Sequence, residues 1–456
     1  MASSRSKPPE LLTDQVQALL APLLVGAAAP LRLTLALSGG LDSSVLLHIL
    51  AGLRPHLQID LQACHIHHGL STQAEIWRAH CHAACAALAV PCETRYVQVD
   101  RGSKAGLEAA AREARYQALT SISTDWLVLA HHADDQAETL LFRLCRGTGV
   151  KGMAGMRGID PARRLLRPLL YASRCDLEAY AHAHQLAWVE DDSNPDTGFS
   201  RNYLREIVLK PLRSRFPAAV ASLAGSASRF AESDQLLDDL ARLDAQAIRF
   251  GECGSRTRWQ SLSWSRARNL LRHCLASGGA VYLPEARRLE DGLRQIATST
   301  AARWVFGKQA VCVYRDQIWF EPAVLATPTP VVWRGQPVLS WGEGEIHFPA
   351  TWASEAPCEV VVYGTTSCGV PGDGWSSRHF KHLCQEAGVP PWWRSVLPGI
   401  KRGDVLLWVG GVWADQSARQ PSWQGGWRGF QSQSGKRFRL PDEHQLTDGE
   451  PRNKAN

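Results

Sequence analysis

Leu31-Arg-Leu-Thr-Leu-Ala-Leu-Ser-Gly-Gly-Leu-Asp-Ser-Ser44 reads as a buried strand that runs into a tight turn and then into the start of a helix. Leu31, Leu33, Leu35 and Leu37 recur at the two-residue period of a strand. Ser38, Gly39 and Gly40 let the backbone turn with no Cβ in the way at the two glycines. Asp42, Ser43 and Ser44 then precede an apolar helical run over 45–50. Amides at such a helix start are unpaired donors at the positive end of the dipole, and they favour an anion by about 0.3–1 kcal/mol. Phosphate is the expected occupant. The loop lacks the lysine of a G-x-x-x-x-G-K-[ST] loop, so transfer of a terminal phosphate is not expected.

Working outward, residues 58–65 read as a second strand, 72–89 as a helix, 90–100 as a third strand, 106–121 as a helix and 126–131 as a fourth strand. This alternation predicts an α/β domain built on a doubly wound parallel sheet, with ligands outside the carboxyl ends of the strands, where Ser38, His65 and His131 fall. Helical periods then take over at 173–186, 201–212, 218–248, 265–275 and 284–296. Short alternating strands follow at 304–306, 311–314 and 317–320, and a proline-rich linker at 327–330. The last part is tryptophan-rich, with a helix at 377–387 between strands at 358–363 and 405–412. The expected organisation is an N-terminal extension 1–29, a catalytic α/β domain 30–172, a mainly helical domain 173–325, a small α+β domain 331–440 and a polar tail 441–456.

The 456 residues carry a net charge of +6, a modest excess supplied largely by arginine, which suits bidentate contacts to phosphate. The 12 cysteines form no C-x-x-C pair and read as reduced thiols. Residues 1–10 are polar, without the apolar core of a signal or anchor, and no apolar run is long enough to span a bilayer. A cytoplasmic location is expected. Cys81 and Cys85, four apart on a helix beside alanines, read as core rather than as zinc ligands. The 17 tryptophans read mainly as core.

The second chemical constellation is His131-His-Ala-Asp-Asp-Gln-Ala-Glu-Thr139, two histidines at a strand end followed by three carboxylates on the first turns of a helix. Asp134 and Glu138 share a helical face. Carboxylates beside a phosphate loop can ligate Mg²⁺ or hold an ammonium group. Arg201 and Arg205 share another face, continued by Lys210, Arg213 and Arg215, which reads as a phosphate stripe for RNA or as a solvated basic face.

Ser38-Gly-Gly-Leu-Asp-Ser43 resembles the S-G-G-x-D-S loop of the ATP-pyrophosphatase (PP-loop) family, and with H-H-x-x-D-Q-x-E-T it is similar to the long-form tRNA(Ile)-lysidine synthases. The likeness continues in order through Cys64-His-Ile-His-His-Gly-Leu-Ser71, Glu108-Ala-Ala-Ala-Arg-Glu-Ala-Arg-Tyr116, Arg146-Gly-Thr-Gly149 and Leu166-Arg-Pro-Leu169. It extends to Trp188-Val-Glu-Asp-Asp-Ser-Asn194, Ser200-Arg-Asn-Tyr-Leu-Arg205 and Ser377 to Trp392, while Asp192 stands where the family often has proline and 250–300 aligns by no motif.

The resemblance implies a ligase that adenylates C2 of cytidine 34 in a CAU-anticodon tRNA(Ile) with ATP and then lets the ε-amine of free lysine displace AMP. It implies catalytic Asp42, Asp134, Asp135, Glu138 and His132, and an ATP site of Ser38, Gly39, Gly40, Leu41, Asp42, Ser43, His65 and His67. Arg112, Arg115 and Arg143 are the candidates for the lysine carboxylate, and Arg201, Asn202 and Arg205 for tRNA. Mg²⁺ is assigned to Asp42 and Glu138, and a homodimer is left open. The competing readings are a PP-loop tRNA thiolase, which the missing C-x-x-C disfavours, and a non-catalytic RNA-binding protein, which the intact Asp42 and acidic cluster disfavour.

Overall fold

The computed structural model describes residues 9–26, 29–69, 71–100, 102, 106–190, 200–250, 253–277, 286–342, 344–348, 352, 357–363, 377–410 and 412–414. Motif residues 191–194 and the tail 441–456 lie outside these. The chain forms two compact units, 1–236 and 237–456.

The first unit is built on a six-stranded sheet of order β3-β2-β1-β4-β6-β5. Its strands are β1 (Leu31–Ala36), β2 (Ile59–His67), β3 (Cys92–Tyr96), β4 (Trp126–Val128), β5 (Ile159–Asp160) and β6 (Leu165–Leu166). All neighbouring pairs are parallel except β5 with β6. The chain winds from β1 outward to β2 and β3, then returns to place β4 on the other side of β1. The gap between the carboxyl ends of β1 and β4 is therefore the switch point where such sheets bind ligands.

Hydrophobic cores cover both faces. Leu33 and Leu35 of β1 pack with Val45, Leu46 and Leu50 of α2 (Leu41–Leu53) and Cys81 and Cys85 of α3 (Ala74–Ala87). Ala36, Cys64, Leu127 and Leu165 pack with Leu119 of α4 (Leu107–Thr120) on the other face. A helix within the expected extension, α1 (Pro9–Leu24), places Leu12, Val16 and Leu20 in the first of these cores. Leu177, Tyr180 and Ala181 of α7 (Arg174–Ala183) join the same core, so the boundary expected at residue 173 falls inside this unit.

In the second unit, helices α12 (Trp264–Ser277) and α13 (Ala286–Thr298) pack with an antiparallel five-stranded sheet, burying Leu270, Leu271, Ile296, Val311 and Ile318. A further antiparallel sheet carries a core in which Trp333 stacks on Phe348 at 4.0 Å and Trp341 Nε1 donates to Val396 O at 2.9 Å. Among the described residues no helix is long and apolar enough to cross a membrane.

Candidate active site

The loop after β1 forms the tight turn and helix start that its sequence suggests. Gly40 is the N-cap of α2 with φ −73° and ψ 167°, and no side chain caps the helix, so the first-turn amides stay open to a ligand. Ser38 Oγ lies 3.0 Å from Ser43 Oγ, and Ser43 Oγ donates to Gly40 O at 3.0 Å. Gly39 has φ +86°, and a Cβ there would lie 3.0 Å from Cys81 Sγ and 3.1 Å from Val189 Cγ2. The turn thus needs glycine for conformation and for space.

A cavity of about 160 Å³ opens beside the loop, lined by Leu37, Ser38, His65, His68, Trp77 and Arg115 among others. His65 Nδ1 lies 3.0 Å from Leu37 O. A carbonyl only accepts, so Nδ1 carries the proton and Nε2 is left as an acceptor. Burial lowers the pKa of His65 and keeps it neutral.

Across the switch point, His132 is the N-cap of α5 (Ala133–Cys145), and its N–H donates to Asp135 Oδ2 at 3.0 Å in a capping box. Its Nδ1 stands 3.3 Å from both the amide and Oδ2 of Asp134, so protonation turns it from an acceptor of the amide into a donor to the carboxylate. Nε2 lies 3.6 Å from Asp42 and 3.6 Å from Asp135. Burial works to lower the pKa of His132, and the charges of Asp135 and Asp42 outweigh it, leaving it raised. His131 goes the other way: burial, with Arg167, Arg115 and Arg112 nearby, lowers it to about 3 against the pull of Asp135. The two adjacent histidines are thereby shifted in opposite directions.

Arginines of distant elements bind the acids. Arg174, at the start of α7, places Nη1 2.9 Å from Asp42 Oδ1, and its amide donates to Asp134 Oδ2 at 3.2 Å. Asp134 also pairs with Arg213. Glu138, 1% exposed, takes Arg205 in a bidentate pair at 2.6 and 3.2 Å. Burial still pushes the pKa of Glu138 up, with Arg205 opposing, while burial of Asp135 is outweighed by the pull of His132 and the hydrogen bond from its backbone N–H, which leave its pKa lowered.

Residues 10–212 match the PP-loop domain, 255–319 the TilS substrate binding domain and 370–429 the TilS substrate C-terminal domain. A tRNA(Ile)-lysidine synthase of Aromatoleum aromaticum is 43% identical over 411 residues, spanning 86% of this chain and 95% of its own. Proteins of the same name from Azoarcus sp. (40%, spanning 84% and 87%) and Pseudomonas aeruginosa (39%, spanning 89% and 96%) are similar throughout. The chain belongs to the tRNA(Ile)-lysidine synthase family. As a member it is an ATP-dependent ligase.

Within this lysidine synthase fold the expected site residues separate. Ser38 to Ser43, His65, His132 and the three carboxylates surround the switch point, whereas His67 pairs with Glu75 at 3.2 Å, packs on Tyr96 and is not part of the cavity lining. Arg115 lines the cavity, and Arg112 lies over the Tyr116 ring at 5.5 Å. Arg143, expected on a substrate carboxylate, instead donates to Gly152 O and Gly155 O at 2.7 and 3.0 Å, closing the loop after α5. Gln136 staples the same loop through Met156 N and O at 2.8 and 2.9 Å. Gly155, at φ +62°, leaves no room for a Cβ, which would sit 2.6 Å from Gln136 Oε1.

The expected basic stripe is also corrected. Arg201 and Asn202 lie on α8 (Ser200–Tyr203), followed by a π-helical segment, Leu204–Leu209, and α9 (Lys210–Arg215). Arg205 and Arg213 serve the acidic cluster, so buried carboxylates take two of these cations out of the stripe, while Lys210 pairs with Glu206 at the surface. Glu138 does not fit a Mg²⁺ ligand, because both its oxygens are bound by Arg205. No group of three or more potential ligands is assembled among the described residues. Asp42, part-exposed beside the phosphate loop, does fit a Mg²⁺ ion that takes its other ligands from substrate phosphate and water. Sequence reasoning misses Arg174, Gln136 and Arg213 as site residues. The capping signal Ser173-x-x-Asp176 marks the helix start that carries Arg174.

Proposed function

We propose that the chain joins free L-lysine to cytidine 34 of the CAU-anticodon tRNA(Ile) in the cytoplasm. In the first step the C2 oxygen of the base attacks the α-phosphorus of ATP and pyrophosphate leaves. In the second, lysine Nζ bonds to C2, the C2–O bond breaks, and AMP departs with that oxygen. The observation that carries this reading is the pairing of an open phosphate loop with a buried carboxylate cluster across one switch point.

In this scheme Ser38, Gly39, Gly40 and Ser43 cradle phosphate, and His65 and Arg115 line the nucleotide cavity. Mg²⁺ held by Asp42 would neutralise charge on the departing pyrophosphate. Lysine arrives as an ammonium of pKa about 10.4 and must lose a proton to attack. Asp134, Asp135 and Glu138 are the candidates to receive that ammonium and its proton, and His132, whose pKa is raised, stands beside Asp135, whose pKa is lowered. Arg201 and Asn202 remain the candidates for tRNA contact.

The test combines ATP, labelled lysine and a CAU-anticodon transcript, with a position-34 variant and a sulfur donor as controls and the mass in solution deciding monomer or homodimer. Lysine incorporation and AMP release are expected only with the intact anticodon. Equal incorporation into the variant, or sulfur transfer in place of lysine, would overturn the reading.

A further inference from the structure

The charges at the site do not balance once its internal pairs are counted. Asp42 goes to Arg174, Asp134 to Arg213, and Asp135 and Glu138 to His132 and Arg205. Arg167 is left over. It is 4% exposed, its Nη1 donates only to the carbonyl of Arg157 at 2.8 Å, and its Nε is buried without a partner. No carboxylate among the described residues pairs with it, whereas the buried acids Asp234 and Asp244 each hold an arginine. A buried charge with no counter-ion is strongly unfavourable unless a ligand supplies one.

Its place in the fold says where that ligand sits. Leu166 ends β6 and accepts from Leu129 N at 2.8 Å, so Arg167 emerges at the carboxyl end of β6 beside the end of β4, which leads into His131 and His132. The carbonyl it holds, Arg157 O, adjoins Met156, which Gln136 ties to the first turns of α5. Arg115 lies in the same field: burial first, and then the charges of Arg167, Arg115 and Arg112, lower the pKa of His131, and Arg143 also feels the charge of Arg167.

We propose that Arg167 binds a substrate oxyanion at the floor of the site. The inference rests on the ligase reading, in which two groups have this chemistry: the α-carboxylate of lysine and the α-phosphate of ATP. A charge-assisted hydrogen bond of this kind corresponds to about 10- to 100-fold in affinity.

The experiment uses the full chain with Arg167→Gln and Arg167→Lys. Wild-type lysine incorporation is measured first, so that failure of the ligase reading is seen separately. If the carboxylate is the partner, Arg167→Gln raises KM for lysine by that factor and leaves turnover of lysinamide, which lacks the carboxylate, unchanged. If the phosphate is the partner, KM for ATP rises and tRNA-dependent pyrophosphate release without lysine falls. Arg167→Lys recovers part of either loss. A folded Arg167→Gln enzyme with both KM values within about twofold of wild type overturns the proposal. Should that variant not fold, wild-type melting decides: equal stabilisation by lysine and lysinamide and by AMP and adenosine overturns it too.

Discussion

Replacing Arg205 by alanine tests whether the segment after residue 200 serves the acidic cluster or the tRNA. The change leaves Glu138, 1% exposed, without the guanidinium that holds both its oxygens. Removing one partner of a buried ion pair costs about 3–5 kcal/mol. Arg205 is itself 37% exposed, so solvent screens part of the pair and about 2–3 kcal/mol is the expected loss. Glu138 limits the loss further by taking a proton, since burial already raises its pKa. For a unit of this size the first thermal transition should fall by about 5–10 °C.

The assay is a melting curve of the full chain at neutral pH, run with Glu138→Gln, Arg205→Met and the double variant. The pair should show a coupling of about 1.5–3 kcal/mol, with the double variant more stable than the two single losses summed. Lysine incorporation should fall because the cluster loses its shape, while tRNA affinity falls little. An Arg205→Ala protein that melts within about 1 °C of wild type but binds tRNA tenfold more weakly would refute the reasoning and return Arg205 to the RNA surface.

Asp42→Ala should reduce tRNA-dependent pyrophosphate release by about 100- to 1,000-fold while tRNA affinity, measured by filter binding, stays near wild type; an active variant removes Asp42 from the chemistry. Gly39→Ala must hold φ +86° at a cost of about 1–2 kcal/mol and meets Cys81 Sγ and Val189, so KM for ATP should rise, and an unchanged KM would show that the loop tolerates a side chain. The raised pKa of His132 gives a pH dependence of definite sign. Its stabilising charge is complete below the ordinary value of 6.5 and is lost as pH rises through the raised one, so the melting gap between wild type and His132→Gln should be widest in acid and close as the pH climbs past neutrality. A gap that widens with pH would mean a neutral imidazole.

Features encoded within a few residues are legible in the sequence. The strand, glycine turn and helix start of 31–50 are one local unit, and β1, α2 and the open N-terminus of α2 form as that unit dictates. Less legible are elements that owe their existence to neighbours. β5 and β6 are two residues each and persist through pairing with one another and with β4, so their own pattern is too short to register. α1 carries Leu12, Val16 and Leu20 at intervals of four, a helical signal that was present, but Pro22 and the polar first ten residues make the stretch read as an extension.

The site divides along the same line, and charge explains why. Spacing on one helix reveals that Arg205 and Arg213 are basic and near one another, but not that carboxylates some 70 positions earlier in the chain will face them. A helical period cannot distinguish a cation awaiting RNA from one already neutralising a buried acid, since both are polar positions on an amphipathic surface. Arg167 shows the converse. In Leu166-Arg-Pro-Leu169 it looks like an interruption of an apolar run, and only burial and the absence of an acidic partner among the described residues turn it into a binding group. Residue identities therefore place the carboxylates and the phosphate loop at one crevice, while the tertiary pairing decides which charges remain for substrate: the surplus at the end of β4 and β6 is positive, although the motif that marks the crevice is acidic.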